Sequence, residues 1–185
     1  MKRLISTIIT LTLLLGAATA NATLIASGSW VGNGSYYEVH TYGGASWSQA
    51  DAALSSGFHL ATITEVGEQA FLESLLSGYE GQYWLGGIQD PISTLSAGLN
   101  WTWTTGEAWG YTNWAPGEPN DNYGPGSEQH LTMWSKNDWQ WNDEGNLRNI
   151  TGYVAERVSI PEPASLALLG LALIVTGFVR QYKYA

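Results

Sequence analysis

Cysteine is absent from all 185 residues. A domain that reaches an oxidising compartment can staple itself with disulfides, so this one must take its stability from packing. Basic residues are nearly as scarce. Between two apolar end segments only Lys136, Arg148 and Arg157 are cationic, against all 16 acidic residues, a net −13. That balance argues against nucleic acid and anionic membrane surfaces as partners. The middle also lacks a fixed-period repeat and any low-complexity linker, so its roughly 140 residues form one domain large enough for a real core. Without thiols, and with His40, His59 and His130 far apart in sequence, a zinc site is disfavoured.

The two ends are of a different kind. Lys2 and Arg3 precede the apolar run Leu4 to Gly16, and small residues follow, with Ala20-Asn21-Ala22 as the best cleavage site. That order predicts a secretory signal peptide over residues 1–22, removed by signal peptidase. At the other end residues 164–179 are apolar or small, with Arg180 and Lys183 beyond them. A terminal apolar run followed by cations reads as a membrane stop with the cations on the cytoplasmic side. Pro161-Glu162-Pro163 prevents a helix from starting much earlier. Pro-Glu-Pro, apolar helix and basic tip over residues 159–185 resemble the PEP-CTERM sorting tails of Gram-negative bacteria. The resemblance implies an inner-membrane-anchored precursor that an exosortase cuts near the motif, leaving the product at the cell surface or secreted. A plain permanent anchor is the alternative.

Residues 23–158 remain as the domain. A strand is expected over Ser35 to Thr41. Ser46-Trp47-Ser48-Gln49 fits a capping box, with Trp47, Ala50 and Leu54 at helical spacing and Gly57 as the stop. Phe58 to Ile63 reads as a short strand. Thr64 is the expected cap of a second helix that presents Ala70, Phe71 and Leu75 on one face and ends at Gly78. Short aromatic strands then alternate with Gly/Pro/Asn/Asp loops: Tyr83 to Gly87, Asn100 to Thr104, Leu131 to Trp134, Trp139 to Trp141 and Gly152 to Glu156. The fold class is α+β. Gly106 to Gln129 is too long for a simple connection, and loops of that length inside a compact domain are usually functional.

The chemistry concentrates in that loop and just past it. Glu118-Pro119-Asn120, Asp121, Glu128 and Trp141-Asn142-Asp143 supply carboxylates and amide carbonyls. Calcium takes six to eight such hard oxygens. A cis Glu118–Pro119 bond, the type of bond to which cis geometry is essentially confined, turns both neighbouring side chains to one side. Glu118 and Glu128 also allow a glycosidase pair on paper, but adjacent amides suit a metal better.

The order of parts adds to this. Trp47…Ala50, His59-Leu60-Ala61-Thr62-Ile63, Trp84-Leu85-Gly86-Gly87, Asn113-Trp114, Glu118-Pro119-Asn120, Trp141-Asn142-Asp143 and Tyr153-Val154-Ala155-Glu156 together resemble C-type lectin domains, over about Ser35 to Arg157. The resemblance implies a C-type lectin-like fold: two helices, small antiparallel sheets, termini close together and a long calcium-binding loop region. It implies that Glu118, Asn120, Glu128, Asn142 and Asp143 bind calcium and, through it and beside it, the hydroxyls of a carbohydrate of mannose, glucose or fucose type. The expected partner is a glycan or extracellular polysaccharide and the expected role is binding, not catalysis. The alternative is an interaction or structural module that binds protein or keeps calcium for stability alone.

There are departures. The family's two disulfides fall near Leu54 with Ala155, an apolar replacement pair, and near His130 with a position around Asn146, where His130 is expected to face solvent. Gln129 stands where a second calcium site commonly has an acid, with Asp90 and Asp121 as remaining contributors. Most of the ten Trp are expected in the core, with Trp109, Trp114 and Trp139 bordering the loops, where they can stack on a sugar.

Overall fold

The computed structural model describes residues 21–89 and 96–158. Nearly all of the expected signal peptide, the sorting tail and Asp90 lie outside them.

Eight strands share one sheet. β1 (Thr23–Ser29), β2 (Tyr36–Thr41), β8 (Ile150–Arg157), β4 (Gln82–Gln89), β6 (His130–Trp134) and β7 (Trp141–Glu144) follow one another across it. β3 (His59–Leu60) adds to β8, and β5 (Trp101–Trp103) adds to β4. All pairings are antiparallel except β4 with β8, so the sheet is mixed, not a set of small antiparallel ones. The parallel pair forms because the chain between β4 and β8 carries the functional loop and three further sheet strands, a connection far longer than a hairpin. β2 beside β8 brings the two ends of the domain together.

The two-residue period of the central strands decides where the cores lie. On β8, Val154 points into one apolar cluster while Tyr153 and Ala155 point into the other. On β4, Tyr83 and Leu85 join the first cluster and Trp84 the second. α2 (Val66–Leu75) brings Leu72 to the first, larger cluster, which also holds Trp101, Trp103, Leu131, Met133 and Trp141. α1 (Trp47–Ala52) brings Ala50 to the second. The sheet thus has one helix on each face.

The capping box forms as the sequence requires: Gln49 N–H donates to Ser46 Oγ and Ser46 N–H donates to Gln49 Oε1. The helix stops at Ala52, five residues before Gly57, because a tight turn through Ala53 and Leu54 takes over. The strand expected over Phe58 to Ile63 shrinks to two residues.

At α2 the cap is different. Glu65 occupies the N-cap without a side-chain bond, and Thr64 instead donates its N–H and hydroxyl to Glu68 Oε2. The buried face is Glu68, Gln69 and Leu72, with Phe71 and Leu75 half-buried and Ala70 exposed. Two polar side chains occupy the inner face because each has partners there. Gln69 Oε1 accepts the Trp141 indole N–H at 2.9 Å, and Glu68 meets Tyr37 and Asn33. Hydrophobic spacing does not register either. β1, edge-paired to β2 through small and polar residues, was not expected as a strand at all.

Packing takes the place of disulfides at both positions. Ala155 is buried in the second cluster and Leu54 packs against that cluster. His130 does not face solvent. It lies between Trp47, stacked at 5.2 Å, and Trp84, edge-on at 5.9 Å. Burial lowers its pKa to about 4, so the imidazole is neutral at ordinary pH. Beyond it Trp101, Trp103, Trp109, Trp114 and Trp141 form a continuous ring cluster with centroid separations of 4.6–6.3 Å. Aromatic pairs of this kind add ~0.5–1.5 kcal/mol each beyond area burial.

Candidate functional site

The loop between β5 and β6 is tied down before it reaches its acidic part. Trp141 N–H donates to Asn113 O at 2.8 Å and Ala115 N–H to Trp141 O at 2.9 Å, a bridge that lays Trp114 beside β7. Trp109 and Trp114 are consumed in the ring cluster below, so both serve packing. Three residues after Ala115 the Glu118–Pro119 bond is cis.

From there the loop closes on β7. Asp143, fully buried, accepts the backbone N–H of Asn120 (3.0 and 3.1 Å) and of Asp121 (2.9 Å). Asp121, held at φ 49°, accepts the Glu128 N–H on its Oδ1 at 3.2 Å, and Glu128 Oε2 accepts the Asn122 N–H at 2.6 Å. Asp121 is therefore a brace inside the loop. Gly145 is required on the far side, since a Cβ there would meet Ser127 O at 2.1 Å. Glu144 closes the turn by accepting the N–H of Gly145 (2.9 Å) and of Asn146 (2.6 Å).

The expected residues thus meet where the loop folds against β7. Glu118, Glu128 and Asp143 are mutual electrostatic neighbours, and Glu144, which the sequence reading passed over, is a fourth. Burial first, then the adjacent Asp143 carboxyl, and after it Glu128 and Glu144, push Glu118 up to about 7. Glu128 is also raised to about 7, by burial and by Asp143, Glu144 and Asp121, although the Asn122 N–H pulls the other way. Oε2 of Glu118 is buried with no hydrogen-bond partner. The side-chain amides of Asn120 and Asn142 make no hydrogen bond among the described residues, although Asn142 is only 7 % exposed. A half-buried acid with one oxygen buried and unpartnered, next to like charges, fits a hard divalent cation in the chemistry of its donors.

The geometry sets a limit on that fit. Among the described residues no three His, Cys, Asp or Glu side chains are arranged to hold a metal ion. The reason is visible in the loop, where Asp143 and Glu128 spend oxygens on backbone N–H groups. The imidazoles offer no alternative centre. His40 stands 2.9 Å from Glu38 and stacks on Tyr153, His59 lies beside Leu60 O and Glu156, and His130 is in its tryptophan clamp. Gln129 donates its side-chain amide to Gly126 O. Tyr123, 58 % exposed, accepts a hydrogen bond from Asn146 Nδ2 on its hydroxyl at 3.1 Å, and its place in a Gly/Pro turn gave no advance sign of that.

Comparison with known proteins agrees with this architecture. The family model described as the lectin C-type domain matches residues 44–149, and the PEP-CTERM protein-sorting motif matches residues 159–181. The latter marks the chain for export and sorting. C-type mannose receptor 2 of Mus musculus is 30 % identical over 110 residues, covering 59 % of this chain and 7 % of the receptor. Ladderlectin of Oncorhynchus mykiss is 30 % identical over 105 residues, 53 % of this chain and 50 % of that protein. This chain therefore spans only part of these relatives. Among solved structures, the cow C-type carbohydrate-recognition domain of CD23, determined in the presence of a GlcNAc2Man3 oligosaccharide, aligns with TM-score 0.54 at 26 % identity, over 68 % of this chain and 89 % of that one. A calcium-independent type II antifreeze protein aligns with TM-score 0.56 at 25 % identity, over 75 % and 98 %.

Proposed function

This chain belongs to the C-type lectin domain family, a family of binding domains and not of enzymes, and from that premise we propose that it is an exported, calcium-dependent carbohydrate-binding protein. Glu118, Asn120, Glu128, Asn142 and Asp143 would hold the calcium ion. Held by these residues, calcium would supply a Lewis-acidic centre for the vicinal hydroxyls of a sugar. Around it the carboxylates accept from those hydroxyls while the Asn120 and Asn142 amides donate, which fixes the orientation of each hydroxyl. Glu-Pro-Asn goes with mannose, glucose and fucose type sugars in the family, and that preference is proposed here.

The chief support is Glu118: a carboxylate raised to about 7 with one oxygen buried and idle, facing Asp143 and Glu128. In the sorting half of the proposal, the apolar tail holds the precursor in the inner membrane until an exosortase cuts near Pro161-Glu162-Pro163. The product is then at the bacterial surface or among secreted polysaccharide. No helix among the described residues is long and apolar enough to cross a membrane, and residues 164–179 lie outside them.

A second reading has its own observation. Asp143 and Glu128 are already bonded to loop N–H groups, so the loop can hold its shape without a cation and serve as an interaction surface. Glycan-array binding of the exported chain, with millimolar calcium and with chelator, separates the two. Calcium-dependent signals on mannose, glucose or fucose glycans are expected; no glycan signal in calcium sinks the sugar reading and leaves the interaction module.

A further inference from the structure

We propose that the groove between the C-terminal end of β6 and the start of β8 is a second, calcium-independent binding site for a carboxylate-bearing saccharide. It lies away from the acidic loop. β6 and β7 run antiparallel, with His130 opposite Glu144 and Met133 opposite Trp141, so the acidic cluster is at one end of the ladder and the groove is at the other. The groove is open, about 790 Å³, within the ~300–1,000 Å³ range of sites for small ligands and large enough for two or three sugar rings.

Its charge runs against the rest of the domain. Of the three cations between the apolar ends, Lys136 and Arg148 both line it, with Glu80 as the single carboxylate among the lining residues. Both are exposed, and neither forms an ion pair among the described residues. Elsewhere the domain repels anions. Two unpaired cations in one groove, one of them a guanidinium that matches a carboxylate with two parallel N–H bonds, form a local exception.

The walls select a sugar. Trp134 and Trp139, both half-buried, line the groove, and Lys136 Nζ stands 5.2 Å from the Trp134 ring centroid. Neither indole N–H has a protein acceptor among the described residues, so each ring offers a face for pyranose C–H groups and an edge that can donate. The place of Trp139 is set by the backbone: at φ 63° it cannot continue a strand, which is why β7 starts at Trp141 instead of Trp139. The floor is rigid. Gly81 and Ser135 bond reciprocally, Gly81 N–H to Ser135 Oγ at 2.9 Å and Ser135 N–H to Gly81 O at 3.0 Å. Thr151 presses so close that a Cβ on Gly81 would lie 1.8 Å from its Oγ1.

The test is calorimetric titration of the full chain in detergent, in chelator, with a glucuronic-acid oligosaccharide, its carboxyl-reduced counterpart and an acidic peptide of equal charge. Chelator removes the calcium site from the measurement, so failure here and failure of the lectin reading are separate results. The acidic oligosaccharide is expected to bind, with affinity falling as salt rises. The reduced sugar and the peptide should bind at least tenfold more weakly. Lys136→Gln with Arg148→Gln, both exposed and therefore neutral to folding, should cost at least tenfold; Glu80→Gln should tighten binding. Arg157→Gln removes the third cation, which stacks on Tyr36 and Phe58 elsewhere, and should change nothing. No binding at millimolar sugar, equal binding of the reduced sugar or the peptide, or an equal loss in Arg157→Gln overturns the proposal.

Discussion

Two groups of acids are packed into the domain, one beside α2 and one beside β7, and they are treated in opposite ways. Beside α2, Glu68 and Glu156 are almost inaccessible, at 1 % and 3 % exposure, yet their oxygens are used. Glu68 accepts from the Tyr37 hydroxyl, the Asn33 amide at 3.2 Å and the Thr64 N–H at 2.7 Å. Glu156 accepts from Thr62 N–H at 3.0 Å and, on its other oxygen 3.0 Å from the Tyr37 hydroxyl, shares that single proton with Glu68. Beside β7, Glu118, Glu128, Asp143 and Glu144 crowd one another, and Glu118 keeps an oxygen buried and idle. Buried polar groups in folded proteins are nearly always satisfied, so an exception needs an account. The helix-side acids join β2, β8 and α2, which is a structural role. The loop-side acids repel one another, and a chain without disulfides tolerates that because the tryptophan cluster underneath holds the loop to β7.

Removing an acid should therefore have opposite effects on the two sides. The largest loss is expected for Glu68→Ala, which orphans the Thr64 N–H and hydroxyl and takes one of two partners from both the Tyr37 hydroxyl and the Asn33 amide. A buried group left without its partner costs ~1–3 kcal/mol, so a loss of about 3 kcal/mol is expected in denaturant unfolding. A loss under about 0.5 kcal/mol would remove the distinction between the two groups, because Glu68 would then be as idle as Glu118.

Next in size is the calcium response. Extracellular calcium modules bind at ~10⁻⁴–10⁻³ M. Calcium at ten- to hundredfold above Kd then adds about 1.4–2.7 kcal/mol of stability. Glu118→Gln should abolish that increment and, by removing a charge from the crowded cluster, raise the melting temperature in chelator. An unchanged calcium increment in this variant would mean that the ligand set is wrong; a lowered melting temperature in chelator would mean that Glu118 is not under repulsion.

The sequence made one of these groups legible and hid the other. Glu118, Asn120, Glu128, Asn142 and Asp143 stand out as candidates by residue type and order, and the fold brings Glu118, Glu128 and Asp143 together, with Asn120 held to Asp143 through its backbone N–H. Glu144 was missed because it looks like an ordinary strand end, whereas in the structure it is buried and caps the following turn. The helix-side group was invisible. A periodicity search rewards Ala70, which is exposed, and penalises Glu68 and Gln69, which with Leu72 are the buried residues of that helix. Local signals did best where a local bond decides the outcome, as in the Ser46–Gln49 box. They failed where a distant partner decides it: Tyr37 for Glu68, Trp47 and Trp84 for His130, and β2 for the edge strand β1.

The smallest effect is on pH dependence, and it sharpens the contrast most finely. Glu118 and Glu128 each rise from 4.5 to about 7 in the folded chain without metal. Between those values the native state holds protons that the unfolded state has lost, so ∂ΔG/∂pH is negative and stability falls as pH rises from about 4.5 to 7. In chelator the melting temperature should accordingly be higher at pH 5 than at pH 7.5. Glu118→Gln with Glu128→Gln should flatten most of that slope. The remainder is set by two opposing groups: Glu68, also raised by burial but pulled back by Tyr37 and the Thr64 N–H, and His130, whose pKa is lowered to about 4 by burial and which therefore makes stability rise with pH up to about 6.5. Saturating calcium should flatten the slope in the unsubstituted chain too, since a cation favours the ionised carboxylates. A melting temperature in chelator that climbs from pH 5 to 7.5 would show that the loop acids are stabilised as anions without calcium, which would erase their difference from the helix-side pair.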